Sequence, residues 1–107
     1  MTRDPSMSPN VRRALDDMWP GVYDASRAHL ANIEAFLLAG EAATAAQHRA
    51  ASSAAHRLSG SLGMFGRRDA SSVAASIEAL LTEDLTASWP ELRSLVDRLD
   101  ALLSLAT

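Results

Sequence analysis

Residues 44–66, "TAAQHRAASSAAHRLSGSLGMFG", decide how the chain is read. Thr44 and Gln47 fit a capping box, in which each side chain bonds the other's backbone N–H, so a helix is expected to start near Ala45. Ala50, Ala54, Leu58, Ser61, Leu62 and Phe65 follow at helical spacing and form its expected apolar face. The helix is expected to end among Gly63, Met64, Phe65 and Gly66, where two glycines weaken continuation. At ~100° per residue, His56 lies about 200° from both Ala54 and Leu58, so it points away from the core. Its surface neighbours are small: Ser52 and Ser53 one turn behind, Ser59 and Gly60 one turn ahead. Arg49 and Gly63 lie two turns away. A mid-helix glycine costs ~1 kcal/mol against alanine. Gly60 therefore calls for a reason, and open room beside the imidazole for another molecule supplies one.

The same spacing continues outward. Residues 1–9, with two prolines, read as a flexible lead. Asn10 is the expected N-cap of a first helix carrying Val11, Ala14, Leu15 and Met18. Pro20 disfavours helix at Trp19, so a short helix, a break there and a longer helix to about Ala39 are expected. Val22, Ala25, Leu30, Ile33 and Leu37 line that longer helix, and Gly40 is its expected stop. Beyond Arg67-Arg68-Asp69 comes the amphipathic run Ala70, Val73, Ala74, Ile77, Leu80, Leu81. Asp69 caps it, or the basic pair already stands in its first turn. Thr82 to Ala87 is a connection, and Ser88-Trp89-Pro90-Glu91 is a second capping box with Pro90 in the first turn. Leu92, Leu95, Val96, Leu99, Leu102 and Leu103 form the clearest stripe. No segment alternates as a strand does. The expected fold is all-α, an antiparallel up-and-down four-helix bundle with a short extra N-terminal helix, a single domain over residues 10–107.

Composition removes many chemistries. The chain has 107 residues, 48% apolar and only 5% aromatic, with a net charge of −3. All ten basic residues are arginine, which excludes a P-loop lysine, a Schiff-base lysine and a lysine general base. Without cysteine there is no disulfide, thiolate catalysis or zinc–thiolate site. The charge is not that of a nucleic-acid binder, and Arg12-Arg13 and Arg67-Arg68 are isolated pairs read as solvated surface. No apolar run reaches the ~18 residues of a membrane span. A cytoplasmic, free-standing, monomeric domain is the expectation.

For His56 itself, three readings compete: an ordinary exposed histidine, a metal ligand, or a nucleophile and phosphoryl acceptor. Metal ligation fails on spacing, because His29, His48 and His56 make no i,i+4 pair and no carboxylate lies within a turn of His56. A phosphoryl acceptor needs an accessible ring nitrogen and donors for phosphate oxygens. Arg57 and Ser59 could supply donors, with Arg49 further off. The glycines at 60, 63 and 66 match neither a dinucleotide-binding loop nor a nucleophile elbow. Trp19, Phe65 and Trp89 are expected to pack in the core or at the bundle ends, His29 to be partly buried, and His48 to be exposed. Asp16-Asp17 is read as surface charge.

"AHRLSGSLGMFG" followed by "ASSVAASIEALL" resembles the histidine-phosphotransfer (HPt) domains of bacterial multistep phosphorelays. The elements that carry the resemblance are His56, Gly60, Leu62-Gly63, Phe65-Gly66, and Glu78 with Leu80-Leu81. It is strongest over residues 45–81. It implies a phosphoryl carrier with no kinase or phosphatase activity of its own. His56 would accept the group from, and return it to, receiver-domain aspartates, and a hybrid histidine kinase is a further possible partner. Arg57, Ser59, Gly60, Ser52, Ser53, Arg49 and Gly63 are the expected phosphate- and receiver-contacting residues, joined by apolar groups of the first long helix. No cofactor is expected on this chain, the Mg²⁺ being the receiver's. Ser59 stands where many members have a lysine. That departure keeps open an alternative, a helical module that binds a receiver or kinase without carrying phosphate.

Overall fold

The computed structural model describes residues 8–82 and 89–106. Within them lie four α-helices: α1 (Pro9–Ala39), α2 (Ala45–Met64), α3 (Arg68–Leu81) and α4 (Trp89–Leu105). A short 3₁₀ turn, Gly40–Ala42, follows α1, and no strand occurs among the described residues.

The first helix differs from expectation at both its start and its middle. Ser8, not Asn10, is the N-cap: its Oγ accepts from the Val11 N–H at 3.2 Å, and Pro9 occupies the first helical position. That position suits proline, whose missing N–H would have had no helical partner. Among the described residues there is no separate short helix ahead of the long one, because α1 runs unbroken through Pro20. Pro20 leaves the Asp16 carbonyl without its donor, but both residues are exposed and water can satisfy it. The helix is held at the residue before the proline by tertiary contacts. Trp19 packs on Phe65 with ring centroids 5.9 Å apart and donates Nε1–H to the Ala106 carbonyl at 3.1 Å. Packing has overridden a local preference.

The stops and the second start follow the sequence. Gly40 ends α1 with φ +57° and ψ −131°, a conformation that side chains with a Cβ rarely adopt. Thr44 and Gln47 form the capping box, with bonds of 3.1 and 2.9 Å. Gly66, at φ +77°, closes α2 in a Schellman motif: Arg67 N–H bonds the Leu62 carbonyl at 2.8 Å and Gly66 N–H bonds that of Gly63 at 3.1 Å. Of the two starts weighed for α3, the structure has Arg67 at the N-cap without a side-chain bond and Arg68 and Asp69 in the first turn. The capping box expected at Ser88–Glu91 begins outside the described residues, and the connection from Thr82 to Ala87 lies almost wholly outside them; Pro90 and Glu91 stand in the first turn of α4.

One core joins all four helices. Leu30, Ile33, Phe36 and Leu37 of α1 meet Leu58 and Leu62 of α2, Val73, Ala74, Ile77 and Leu81 of α3, and Leu92, Val96, Leu99 and Leu103 of α4. The inward face of α2 is Ala51, Ala54, Ala55, Leu58 and Leu62. Ala54, Leu58 and Leu62 are buried as expected, but Ala50 is exposed, Ser61 and Phe65 are half-buried, and Ala51 and Ala55 are buried in their stead. Ala51 and Ala55 let neighbouring helices come close to α2, while His56 stays on the outside. Phe36 packs in tilted contact with His48 and with Trp89, each at 5.3 Å between centroids. Arg27 bridges to α4, donating to Asp100 and, at 2.7 Å, to Ser104. Asp100 first, then Tyr23, holds the Arg27 guanidinium above its ordinary pKa.

Candidate functional site

His56 stands on α2 with its side chain three-quarters exposed, at 75% relative accessibility. What the sequence did not place beside it is Glu78, from α3. The Nδ1 of His56 lies 2.9 Å from Oε2 of Glu78, whose side chain is 32% accessible. A carboxylate only accepts, so Nδ1 carries the proton and donates it. In the neutral ring the other nitrogen, Nε2, then holds the lone pair. The contact therefore selects a tautomer and leaves a nucleophilic nitrogen on an exposed ring.

The two halves of the small-residue surface have different origins. Ser59 and Ser52 are half-buried. Ser71 of α3 donates Oγ–H to the Ser59 carbonyl at 2.7 Å, and a Cβ on Gly63 would come within 3.2 Å of the same Oγ. Gly63 thus has a packing reason to be glycine: it lets α3 approach. Gly60 has none of that kind. A Cβ there would meet nothing within 4 Å, and the residue is exposed together with Ser53, Arg57 and Arg49. The open space lies on the side of His56 away from α3. Among the described residues neither Arg57 nor Arg49 has an ion-pair partner, so both guanidiniums are available to an incoming anion.

The other histidines take different places. His48, expected to be exposed, is half-buried: its Nε2 donates to the Leu81 carbonyl at 2.6 Å while its ring packs at a tilt against Phe36. It closes the end of α3, where a carbonyl lacks a helical partner. His29 is half-buried. Trp19, Phe65 and Trp89 pack against the core or the bundle end, as their spacing suggested. Arg67 lies over the Trp19 ring, 4.3 Å from its centroid. Among the described residues no group of three or more His, Asp or Glu side chains could hold a metal ion, and no helix is long and apolar enough to cross a membrane.

A family model described as the Hpt domain matches residues 17–105. The chain belongs to the Hpt domain family. Hpt domains are phosphocarriers that act in histidine phosphotransfer within two-component signalling and interact with response-regulator receiver domains. No curated protein and no solved structure gives a significant match to the chain. The Hpt match begins inside α1, at residue 17, and leaves the first turns of that helix outside it. Within the match, Glu78 was legible as a motif residue but not as a partner of His56. The two are 22 positions apart, and only the packing of α3 against α2 joins them.

Proposed function

We propose that His56 is the phosphoacceptor of this Hpt domain, presented on an antiparallel up-and-down four-helix bundle. The helix sense is supported by cross-helix pairs such as His48 with Leu81, His56 with Glu78 and Ser59 with Ser71 on α2 and α3. The observation that carries the reading is the Nδ1 contact to Glu78 on an otherwise exposed ring.

In the transfer, the Nε2 lone pair attacks the phosphorus of a receiver's aspartyl phosphate in line. The bond from phosphorus to the aspartate oxygen breaks, and the carboxylate leaves. No proton has to leave Nε2 first, because the tautomer is already set. The positive charge that develops on the ring is offset by the Glu78 carboxylate. The reverse reaction delivers the group to a second receiver. Gly60 gives the receiver clearance, while Arg57 and Arg49, both exposed, are the charged donors offered to the phosphoryl oxygens. Mg²⁺ belongs to the receiver.

The test is label transfer from a phosphorylated receiver domain. Acid-labile, alkali-stable phosphate is expected on the wild type and none on His56→Gln. Label retained in His56→Gln would overturn the assignment. Binding of the receiver with no transfer to the wild type would favour a docking module that carries no phosphate.

A further inference from the structure

Read along the chain, Arg12-Arg13 and Arg67-Arg68 are isolated pairs, but folding brings Arg12 to the same cleft as the second pair. Arg12, Arg67 and Arg68 line it with Trp19 and Met64, around a space of about 410 Å³. Asp16 is the one carboxylate among the described residues of its wall. Arg12, Asp16 and Trp19 reach it from one face of α1, being spaced i, i+4 and i+7. Arg67 is held over the Trp19 ring. None of the three arginines has an ion-pair partner among the described residues. In a chain of net charge −3, three guanidiniums against one carboxylate make a local positive patch.

Local stability does not account for this patch. Arg68 is the first residue of α3 and Arg12 the fourth of α1, at helix ends where the dipole favours an anion. Arg67 is the N-cap of α3 without a side-chain cap bond, the bond for which Ser, Thr, Asp and Asn are favoured there. Three cations drawn to one cleft also repel one another. The arrangement is unfavourable for the chain alone and favourable for a chain that meets an anionic surface.

Its place relative to His56 identifies that surface. His56, Gly60 and Met64 follow one another a turn apart along the outside of α2. Met64, 69% exposed, belongs both to this ridge and to the cleft. It lies ~12 Å along the helix axis from His56. A standard interface takes roughly 800 Å² from each partner, a disc of about 16 Å radius. A receiver domain centred on His56 therefore reaches the mouth of the cleft. The carboxylates that such a domain needs beside its phosphorylated aspartate to hold Mg²⁺ make its facing surface acidic. On the reading of His56 as the docking centre, we propose that the cleft of Arg12, Arg67 and Arg68 is the rim of the receiver-docking surface. It selects receivers that carry carboxylates at the matching edge. Charges at a rim act on the rate of encounter and on its salt dependence.

The probe is a phosphorylated receiver domain with an acidic face around its aspartate, its binding followed separately by the anisotropy of an attached fluorophore. Arg12 and Arg68 are both exposed, so R12E/R68E should keep the helical circular dichroism of the wild type. At low ionic strength its second-order transfer rate constant is expected to fall about tenfold, with the limiting rate at saturating receiver held. The difference should close at about 0.5 M salt, where the screening length is about 4 Å. A receiver with a basic face should instead gain from the variant. R93E/R98E makes the same change of net charge on α4 and should behave as the wild type. An R12E/R68E variant equal to the wild type at low salt overturns the proposal, as does a loss that persists at high salt or appears equally in R93E/R98E. If the wild type binds the receiver but takes no label, the role of His56 fails alone. The cleft is then read by anisotropy, where R12E/R68E should weaken binding at low salt and unchanged binding overturns the proposal.

Discussion

Removing the Glu78 carboxylate tests how much of His56's reactivity is set by its neighbour. In Glu78→Ala the Nδ1–H loses its acceptor, and the ring is free to rotate and to place its proton on either nitrogen. The contact is 2.9 Å long between side chains 75% and 32% accessible, so it is screened by water. Exposed charged pairs of this kind contribute about 0.5–1 kcal/mol. At 1.36 kcal/mol per decade, this corresponds to a transfer rate constant about two- to fivefold lower. Global stability should stay within ~0.5 kcal/mol, since the pair lies outside the core. Rapid-quench phosphotransfer from a phosphorylated receiver, measured across receiver concentrations, separates the alternatives. The limiting rate constant should fall while the half-saturating concentration holds. Glu78→Gln should be intermediate, because its amide oxygen still accepts from Nδ1–H but brings no charge. A wild-type limiting rate in Glu78→Ala would refute the tautomer reasoning. A change confined to the half-saturating concentration would make Glu78 a docking residue instead.

The remaining predictions concern the glycines around the site. A Cβ on Gly60 meets nothing, so Gly60→Ala should raise stability by ~0.5–1 kcal/mol in urea unfolding. The bulkier Gly60→Leu should slow transfer with the fold intact; unchanged transfer would remove the clearance role. Gly63→Ala should gain less than Gly60→Ala, because its Cβ stands 3.2 Å from Ser71 Oγ and disturbs the bond to Ser59. Equal gains at the two positions would show that α3 yields freely. Gly66→Ala places a Cβ at φ +77° and should lower stability by about 1 kcal/mol, read as a lower urea midpoint at unchanged slope.

Sequence spacing carried the helices well where local chemistry and core burial agree. The Thr44–Gln47 capping box, the Gly40 stop, the glycine-rich end of α2 and the stripe of α4 all stand where their residues point. It failed where the two disagree. Pro20 predicts a break that Trp19, pinned to Phe65 and Ala106, does not allow. Val11, Ala14 and Met18 keep a helical period, yet all three are exposed. On α2, Ala50 and Ala51 are chemically alike. A string of alanines therefore fixes the helix but not the edges of its buried side: Ala54, Leu58 and Leu62 are buried as expected, with Ala51 and Ala55 in place of Ala50.

The candidate site divides in the same way. By itself the sequence determined that the chain is helical, that His56 lies off the apolar face of its helix and that Gly60 clears space beside it. These follow from helical periodicity, which relates residues only within a turn or two. It also showed the family pattern in which Glu78 and the glycines take part. Tertiary structure alone decided that Glu78 of α3 meets Nδ1 of His56, that Gly63 is small for the sake of Ser71, and that α1 runs unbroken through Pro20. The physical reason is shared by all three. Each depends on how one helix is rotated and shifted against another, and that is fixed by the fit of side chains such as Leu58, Ile77 and Trp19 that lie far apart in the chain.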